Sequence, residues 1–166
     1  MKNKGLLQVT TPSDREIALT RVFDAPRDLV FEAYTKPELL KRWLGVPHDG
    51  WSLEVCEVDL RVGGKCRFVS RGPDDNEMAL SGVYREIVPG ERIVTTELFD
   101  NPWYEGGAVK TVTFEEQAGK TTLTLSVLYD SKEIRDGVLK SGMDEGMAFA
   151  FDMLAELFAS MPQESR

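Results

Sequence analysis

Cysteine and histidine are scarce in this sequence of 166 residues, and their scarcity limits the chemistry that the protein can perform. The two cysteines, Cys56 and Cys66, cannot form the framework of several disulfides on which small secreted domains depend. The single histidine, His48, has no neighbouring Ser or Cys nucleophile, so we expect no catalytic triad built on an imidazole. The three residues also lack the short spacings of metal ligands, and we expect neither a metal nor a cofactor.

Long apolar runs and clusters of basic residues are also absent. No segment reaches the roughly 18 consecutive apolar residues that a membrane span requires, and residues 1–10 lack the apolar stretch of a signal peptide. Lys and Arg total 20 against 28 Asp and Glu, which gives a formal net charge of −8. Because no basic cluster alternates with aromatic residues, the sequence predicts a cytoplasmic protein with no nucleic-acid partner.

The sequence does contain enough apolar material for one domain. Hydrophobic residues make up 42% of the chain, and a compact chain of this length buries roughly 70% of its extended surface. Residues 1–14 are polar and show no period, so we expect a flexible leader there. A single domain is expected over 15–161, followed by a tail at 162–166.

Helical patterns flank a long region of strand-like sequence. A strand near 17–23 precedes two short helices, the first over 26–34 and the second carrying apolar residues up to Leu44. Turn-forming residues then separate six predicted strands, near 51–60, 64–71, 77–88, 91–99, 108–116 and 120–130.

The C-terminal region has the pattern of a long amphipathic helix. Apolar residues from Met143 to Met161 recur every three or four positions, and residues 132–140 form a turn or a separate helix before them. Ser141 and Asp144 have the spacing of a capping box, which places the start of the long helix near Ser141.

Five segments, taken in order, resemble a known family. They are 21–27 (RVFDAPR), 35–43 (TKPELLKRW), 59–64 (DLRVGG), 82–89 (GVYREIVP) and 141–146 (SGMDEG). Together they are similar to START-like domains of the SRPBCC superfamily, in the branch related to the C-terminal domain of the heat-shock-protein-90 ATPase activator. This resemblance implies an α+β helix-grip fold. In that fold a curved antiparallel sheet of about seven strands wraps around a long C-terminal helix, and two short helices lie between strands 1 and 2.

The resemblance also implies a cavity between the C-terminal helix and the sheet. The family often has Trp directly after the second Gly of the Ser-Gly-Met segment, where this chain has Met147, and we expect this difference to alter the shape of the cavity. Aromatic and methionine side chains suit the lining of such a cavity, although the same residues also form ordinary cores. The candidate ligand-binding residues are Trp43, Trp51, Phe68, Tyr84, Phe99, Trp103, Met143, Met147 and Phe151. Tyr84, Trp103 or Arg85 is available to orient a polar end of the ligand.

We therefore expect a protein that binds a small hydrophobic molecule, such as a lipid-like, polyketide-like or aromatic compound. One alternative is an enzyme similar to polyketide cyclases and aromatases, which needs a titratable group inside the cavity. The candidates are His48, Tyr84, Glu97 and Asp152, but no spacing identifies a partner for any of them, so we assign no catalytic residue and favour a binding protein over an enzyme.

A second alternative is a regulator of a chaperone ATPase. The leader expected over 1–14 is too short to replace the additional N-terminal domain of a full activator of that kind, so we do not expect a chaperone partner. The sequence does not decide whether the protein forms a homodimer through an edge of the sheet.

His48 and the two cysteines are expected to be structural. His48 lies in a segment rich in Gly and Pro at 45–50, where a solvated turn is favoured over a role as acid or base. A hairpin turning at 62–63 would place Cys56 opposite residue 69 or 70 instead of Cys66, so two buried thiols are favoured over a disulfide.

Overall fold

A single antiparallel sheet dominates the fold. The computed structural model describes the backbone of residues 2–4 and all of residues 6–100 and 106–161. Within these ranges nine strands lie in the order β1-β2-β3-β9-β8-β7-β6-β5-β4. The strands are β1 (Lys2–Lys4), β2 (Leu7–Thr10), β3 (Glu16–Phe23), β4 (Ser52–Val58), β5 (Lys65–Arg71), β6 (Glu77–Val88), β7 (Arg92–Phe99), β8 (Ala108–Gln117) and β9 (Lys120–Leu128).

Four helices accompany the sheet in the described part of the chain: α1 (Arg27–Thr35), α2 (Pro37–Trp43), α3 (Lys132–Lys140) and α4 (Met143–Ser160). The short pair α1 and α2 connects β3 to β4, and α4 ends the domain. This arrangement confirms the predicted α+β helix-grip fold. The predicted strand ranges contain β4 to β9 except for one residue at the end of β8. No described helix is both long enough and apolar enough to cross a membrane.

The N-terminal segment differs from the prediction. Residues 7–10 form β2, which pairs with β3 and buries Leu7 and Val9, so the prediction of a flexible leader is wrong for this stretch. Two alternating apolar residues are too short a pattern to identify a strand from the sequence. Pairing with β3 stabilises the segment because the N–H and C=O groups at the edge of β3 gain hydrogen bonds. It also removes two aliphatic side chains from water. The sheet therefore has more strands than the seven expected.

The start of α4 also differs from the prediction. The Ser141 hydroxyl donates to the carbonyl of Val138 at 2.6 Å, so it closes the end of α3 instead of capping α4. The residue before α4 is Gly142, whose φ of 89° lies in the left-handed region that a residue with a side chain rarely adopts. A sharp turn at Gly142 thus separates α3 from α4.

The core lies between α4 and one half of the sheet. The Phe23 ring on β3 packs edge-on against Phe151 and Phe158 of α4, at centroid distances of 5.8 and 5.7 Å. The main contacts of α4 are with β1, β2, β3, α2 and α3. The strands from β4 to β8 therefore present their inner faces to a region that α4 does not cover closely.

Irregular pairing bends this uncovered half of the sheet. The register shifts between Leu53 and Val55 on β4, and again between Tyr84 and Glu86 on β6. Such bulges increase the local twist of a strand. At Gly82 the neighbouring strand comes so close that a Cβ atom would lie 2.3 Å from the carbonyl oxygen of Thr96.

Candidate ligand-binding site

An ion pair lies on the inner face of the uncovered half of the sheet. Residues alternate between the two faces of a strand, and Lys110 shares its face of β8 with the buried side chains of Ala108 and Val112. Glu97 of β7 pairs with Ala108, so it lies diagonally across from Lys110 on the same face. The Nζ atom of Lys110 is 3.8 Å from Oε2 of Glu97.

Solvent reaches this pair although it lies deep in the protein. The side chains of Lys110 and Glu97 are 19% and 14% exposed. Burial is the largest single influence on the pKa of Lys110, and it lowers that pKa. Glu97, Tyr34 and Cys66 together raise it by more, so the pKa of Lys110 lies above its ordinary value. Lys110 is thus held as an ammonium ion in a desolvated place that water still reaches, which indicates space beside it.

Two tyrosines and two cysteines surround the ion pair. Tyr34, near the end of α1, is held against Trp43 and Phe114 at ring-centroid distances of 5.4 and 6.0 Å. Burial raises the pKa of the Tyr34 hydroxyl, with Lys110 acting in the opposite direction. We call the set of side chains the inner polar cluster, and it consists of Tyr34, Cys56, Cys66, Tyr84, Glu97 and Lys110.

Tyr84 and Cys56 of the inner polar cluster are neutral groups. Burial, together with the neighbouring Cys66 thiol, raises the pKa of Tyr84 far above its usual value. Burial likewise raises the pKa of Cys56, and Lys41 of α2 partly opposes the change. The two tyrosines and the Cys56 thiol therefore stay protonated at neutral pH and offer hydrogen-bond donors around a single carboxylate.

Apolar side chains continue the same face of the sheet beyond the cluster. The strand register places Phe68, Leu80 and Phe99 on this face, and all three are only partly buried. Trp51 is partly buried next to Gly72, where a Cβ atom would lie 2.4 Å from its indole ring. Inward-facing apolar groups that stay partly exposed indicate that no other element packs closely on them.

The remaining predicted ligand contacts fall into two groups. Met143 and Met147 are partly buried at the N-terminal end of α4, where they pack on the edge of the core. Trp43 and Phe151 are instead enclosed in the core, with rings 6.1 Å apart, and the indole N–H of Trp43 donates to the carbonyl of Ala33 at 2.8 Å. Both are almost without exposed surface, so no water-sized space adjoins them and we remove them from the candidate lining.

The other residues singled out in the sequence lie elsewhere. Trp103 is outside the described residues, and Arg85 is exposed on the surface. The ring of His48 stacks on Phe149 of α4, with centroids 4.0 Å apart, and Nε2 of His48 lies 3.3 Å from the Asp49 carboxylate. His48 therefore connects the 45–50 segment to α4 in addition to lying in a turn.

Cys56 does not pair with Cys66. The residue opposite Cys56 is Phe68, and the residue opposite Cys66 is Val58. The register is one residue away from the predicted one, and both thiols are free and buried, as expected. In the described ranges no three His, Cys, Asp or Glu side chains cluster as they would around a metal ion.

Two grooves open to solvent on the surface of the described residues. One, of about 630 Å³, follows β4 to β7 and is lined by outward-facing residues such as Arg67 and Val83, together with Cys66 of the inner polar cluster. The other, of about 490 Å³, lies between α1 and the turn at Pro89 and Gly90. Neither groove lies between α4 and the sheet, so the interpretation of the inner space depends on the partial exposure of the side chains described above.

The sequence analysis missed Lys110 and Tyr34. A signal for Lys110 exists, because it interrupts the alternating apolar series Ala108, Val112 and Phe114 on β8. A charged residue in an otherwise apolar register is unusual and points to a buried partner. That partner, Glu97, could be named only after the pairing of β7 with β8 was known.

Comparison with known proteins agrees with the fold. Residues 24–159 match the family described as Activator of Hsp90 ATPase homolog 1-like protein. The chain belongs to this family. A search of curated proteins gives no match.

Several proteins of known structure have a similar fold. A crystal structure of a protein from Rhodobacter sphaeroides is 28% identical, with a TM-score of 0.85, and the alignment covers 93% of this chain and 99% of the other. A protein from Nitrosomonas europaea is 27% identical, with a TM-score of 0.77 and coverage of 90% and 97%. A protein from Mycobacterium smegmatis, 24% identical with a TM-score of 0.80 and coverage of 94% and 100%, shares the fold. The shared architecture therefore extends over nearly the whole chain.

Proposed function

We propose that this protein binds a small, largely apolar molecule between the N-terminal half of α4 and the inner faces of β5 to β8. The observation that supports the proposal most directly is the solvent access of Lys110 and Glu97, which point inward and remain 19% and 14% exposed. A tightly filled core would exclude water from such a pair.

The chemistry of the surrounding surface suits an apolar ligand. Phe68, Leu80 and Phe99 offer apolar area on the sheet, and Met147 is a partly buried apolar residue in the N-terminal half of α4. Burial of apolar surface contributes about 25 cal/mol per Å², so an aromatic molecule that covers these side chains would gain several kcal/mol. Methionine is flexible and polarisable, and it adapts to ligands of different shape.

The first prediction tests whether an apolar molecule enters this space. N-phenyl-1-naphthylamine is neutral and apolar, and its fluorescence rises when it leaves water. We expect it to bind the wild-type protein with a saturable signal. At a probe concentration of one hundred times the dissociation constant, the protein should be stabilised by about 2.7 kcal/mol, which thermal unfolding will detect.

The matched variants are Met147→Trp and Glu156→Trp. Met147 lies one helical turn before the enclosed Phe151, on the same face of α4, so an indole there should fill the space and weaken probe binding about tenfold or more. Glu156 is exposed on the same helix, and the same substitution there should leave binding unchanged. Equal binding by both variants, or no binding by the wild-type protein, would contradict the proposal.

The two alternatives drawn from the sequence predict other results. An enzyme of the cyclase type would lose turnover when Glu97 is changed while probe binding persists. A chaperone regulator would recover an Hsp90-type ATPase at stoichiometric levels in a pull-down with the purified protein. The inner polar cluster is the specific observation that favours a ligand site over a protein-docking role.

A further inference from the structure

The Lys110 ammonium and the Tyr34 hydroxyl are donors for which the described residues provide no close hydrogen-bond acceptor. The 3.8 Å separation of Lys110 from Glu97 exceeds a normal hydrogen-bond length of about 2.7 to 3.2 Å. In the described part of the chain, neither donor has a hydrogen-bond partner within 3.5 Å, and neither group is sealed from solvent. An enclosed donor that only water satisfies is a place where a ligand oxygen can bind.

The neighbouring charges decide which kind of oxygen fits. Glu97 already balances the charge of Lys110, so the pair as a whole is neutral. A carboxylate or sulfonate on the ligand would place a second negative charge beside Glu97 in a desolvated region, which is unfavourable. A carbonyl oxygen accepts hydrogen bonds without adding charge.

The donors around the pair point to the same choice. Tyr84 and Cys56 are held protonated, as described above, and they add donors to those of Lys110 and Tyr34. Glu97 is the only carboxylate of the inner polar cluster. A ligand that brings an acceptor therefore complements the cluster better than a ligand that brings a further donor.

We infer, on the basis of the proposed function, that the ligand is a neutral aromatic or aliphatic molecule with a carbonyl group, and that the Lys110 ammonium and the Tyr34 hydroxyl donate to its oxygen. Glu97 is a positioning residue that holds the Lys110 side chain and neutralises it. The apolar body of the ligand lies on Phe68, Leu80 and Phe99.

Three naphthalene probes separate these features. The first, 6-propionyl-2-(dimethylamino)naphthalene, is neutral and carries a carbonyl whose hydrogen bonding shifts the emission to longer wavelength. N-phenyl-1-naphthylamine is neutral and has no carbonyl, and 8-anilinonaphthalene-1-sulfonate is an anion. We expect the wild-type protein to bind the two neutral probes and to bind the anionic probe more weakly.

Two variants each remove one of the proposed donors, and neither leaves a buried charge without its partner. Lys110→Met is combined with Glu97→Gln, so that no carboxylate is left buried without its cation. This double variant should bind the carbonyl probe about 10- to 100-fold more weakly and shift its bound emission to shorter wavelength, with binding of N-phenyl-1-naphthylamine unchanged. Tyr34→Phe, which removes one oxygen atom, should weaken the carbonyl probe about 2- to 10-fold. Lys132→Met, at an exposed position of α3, is the control and should change neither probe.

The single variant Glu97→Gln tests the role of charge. It leaves the Lys110 ammonium without a balancing carboxylate, so the anionic probe should bind more tightly than it does to the wild-type protein. Equal binding of the carbonyl probe to the wild-type protein and the double variant would overturn the inference, as would tighter wild-type binding of the anionic probe than of the carbonyl probe. Failure of both neutral probes with the wild-type protein would instead overturn the proposed function.

Discussion

Arg21 is a buried charge that connects α4 to the sheet. Its Nη1 atom donates to Oδ1 of Asp152 at 2.5 Å, and its guanidinium carbon lies 5.3 Å from the centre of the Phe23 ring. The Nε atom of Arg21 has no hydrogen-bond partner among the described residues. Asp152 was a candidate acid or base in the sequence, but its side chain is 59% exposed and its contact with Arg21 gives it a structural role.

Replacement of Asp152 by Asn should destabilise the protein by about 1–2 kcal/mol, because the buried guanidinium loses its charged partner. Chemical denaturation will measure the change in the free energy of unfolding. The double variant with Arg21→Met should be less destabilised than the sum of the two single variants. Asp59→Asn, which breaks an exposed pair with Arg61, is the control and should cost at most about 1 kcal/mol. An equal effect of Asp152→Asn and Asp59→Asn would show that the contact between Arg21 and Asp152 does not stabilise the fold.

At the scale of the element, β2 is the part of the fold that its own sequence describes least well. Four residues with two apolar side chains carry little periodic signal, yet β2 pairs with β3 over residues 8–10. The sequence of β3 alone does not reveal that its second edge is occupied. The neighbouring element supplies the reason for the strand, since an edge with unpaired N–H and C=O groups accepts any segment that fits.

Leu6 and Leu7 give a matched test of this strand. Leu7 is 1% exposed, whereas Leu6, its neighbour in the chain, is 75% exposed. Leu7→Ala should lower the free energy of unfolding by about 2–5 kcal/mol, because it removes a buried side chain and leaves a cavity. Leu6→Ala should change it by no more than about 0.5 kcal/mol. Similar, small effects of both substitutions in chemical denaturation would mean that β2 does not contribute to the core.

At the scale of the whole molecule, the inner polar cluster joins elements that are far apart in the sequence. Tyr34 comes from α1, Cys56 from β4, Tyr84 from β6 and Lys110 from β8. Burial is the largest influence on the pKa of each of them, and in every case the folded pKa lies above its ordinary value. The folded protein therefore holds these protons more tightly than the unfolded chain does.

This difference predicts a loss of stability at alkaline pH. A raised folded pKa contributes stability that is present below the unfolded pKa, about 8.5 for Cys, 10 for Tyr and 10.4 for Lys, and is lost as the pH rises through the folded value. The free energy of unfolding should accordingly fall from about pH 9 upward. Tyr84→Phe removes one of the groups and should make the fall less steep. Chemical denaturation at several pH values from 8 to 11 will measure the free energy of unfolding of the wild-type protein and the variant. An equally steep fall with pH in Tyr84→Phe would contradict the role assigned to Tyr84.

The sequence by itself determined the strands from β3 to β9, the helices and the order of these elements. Alternation along β4 to β9 and the three-to-four spacing of α4 are local patterns, and turn residues bound them within a few positions, so these elements are visible without knowledge of their neighbours. The free, unpaired state of Cys56 and Cys66 also followed from the length of one hairpin.

Only the tertiary structure decided which of these side chains adjoin open space. Trp43 and Phe151 are aromatic, as Phe68 and Phe99 are, but the first two are enclosed by α4, α2 and β3, whereas the second two face the part of the sheet that α4 leaves uncovered. The pairing of Lys110 with Glu97 likewise requires the register between β7 and β8. The burial of a side chain and its contacts across neighbouring strands depend on residues that are distant in the chain, so a local sequence pattern cannot predict them.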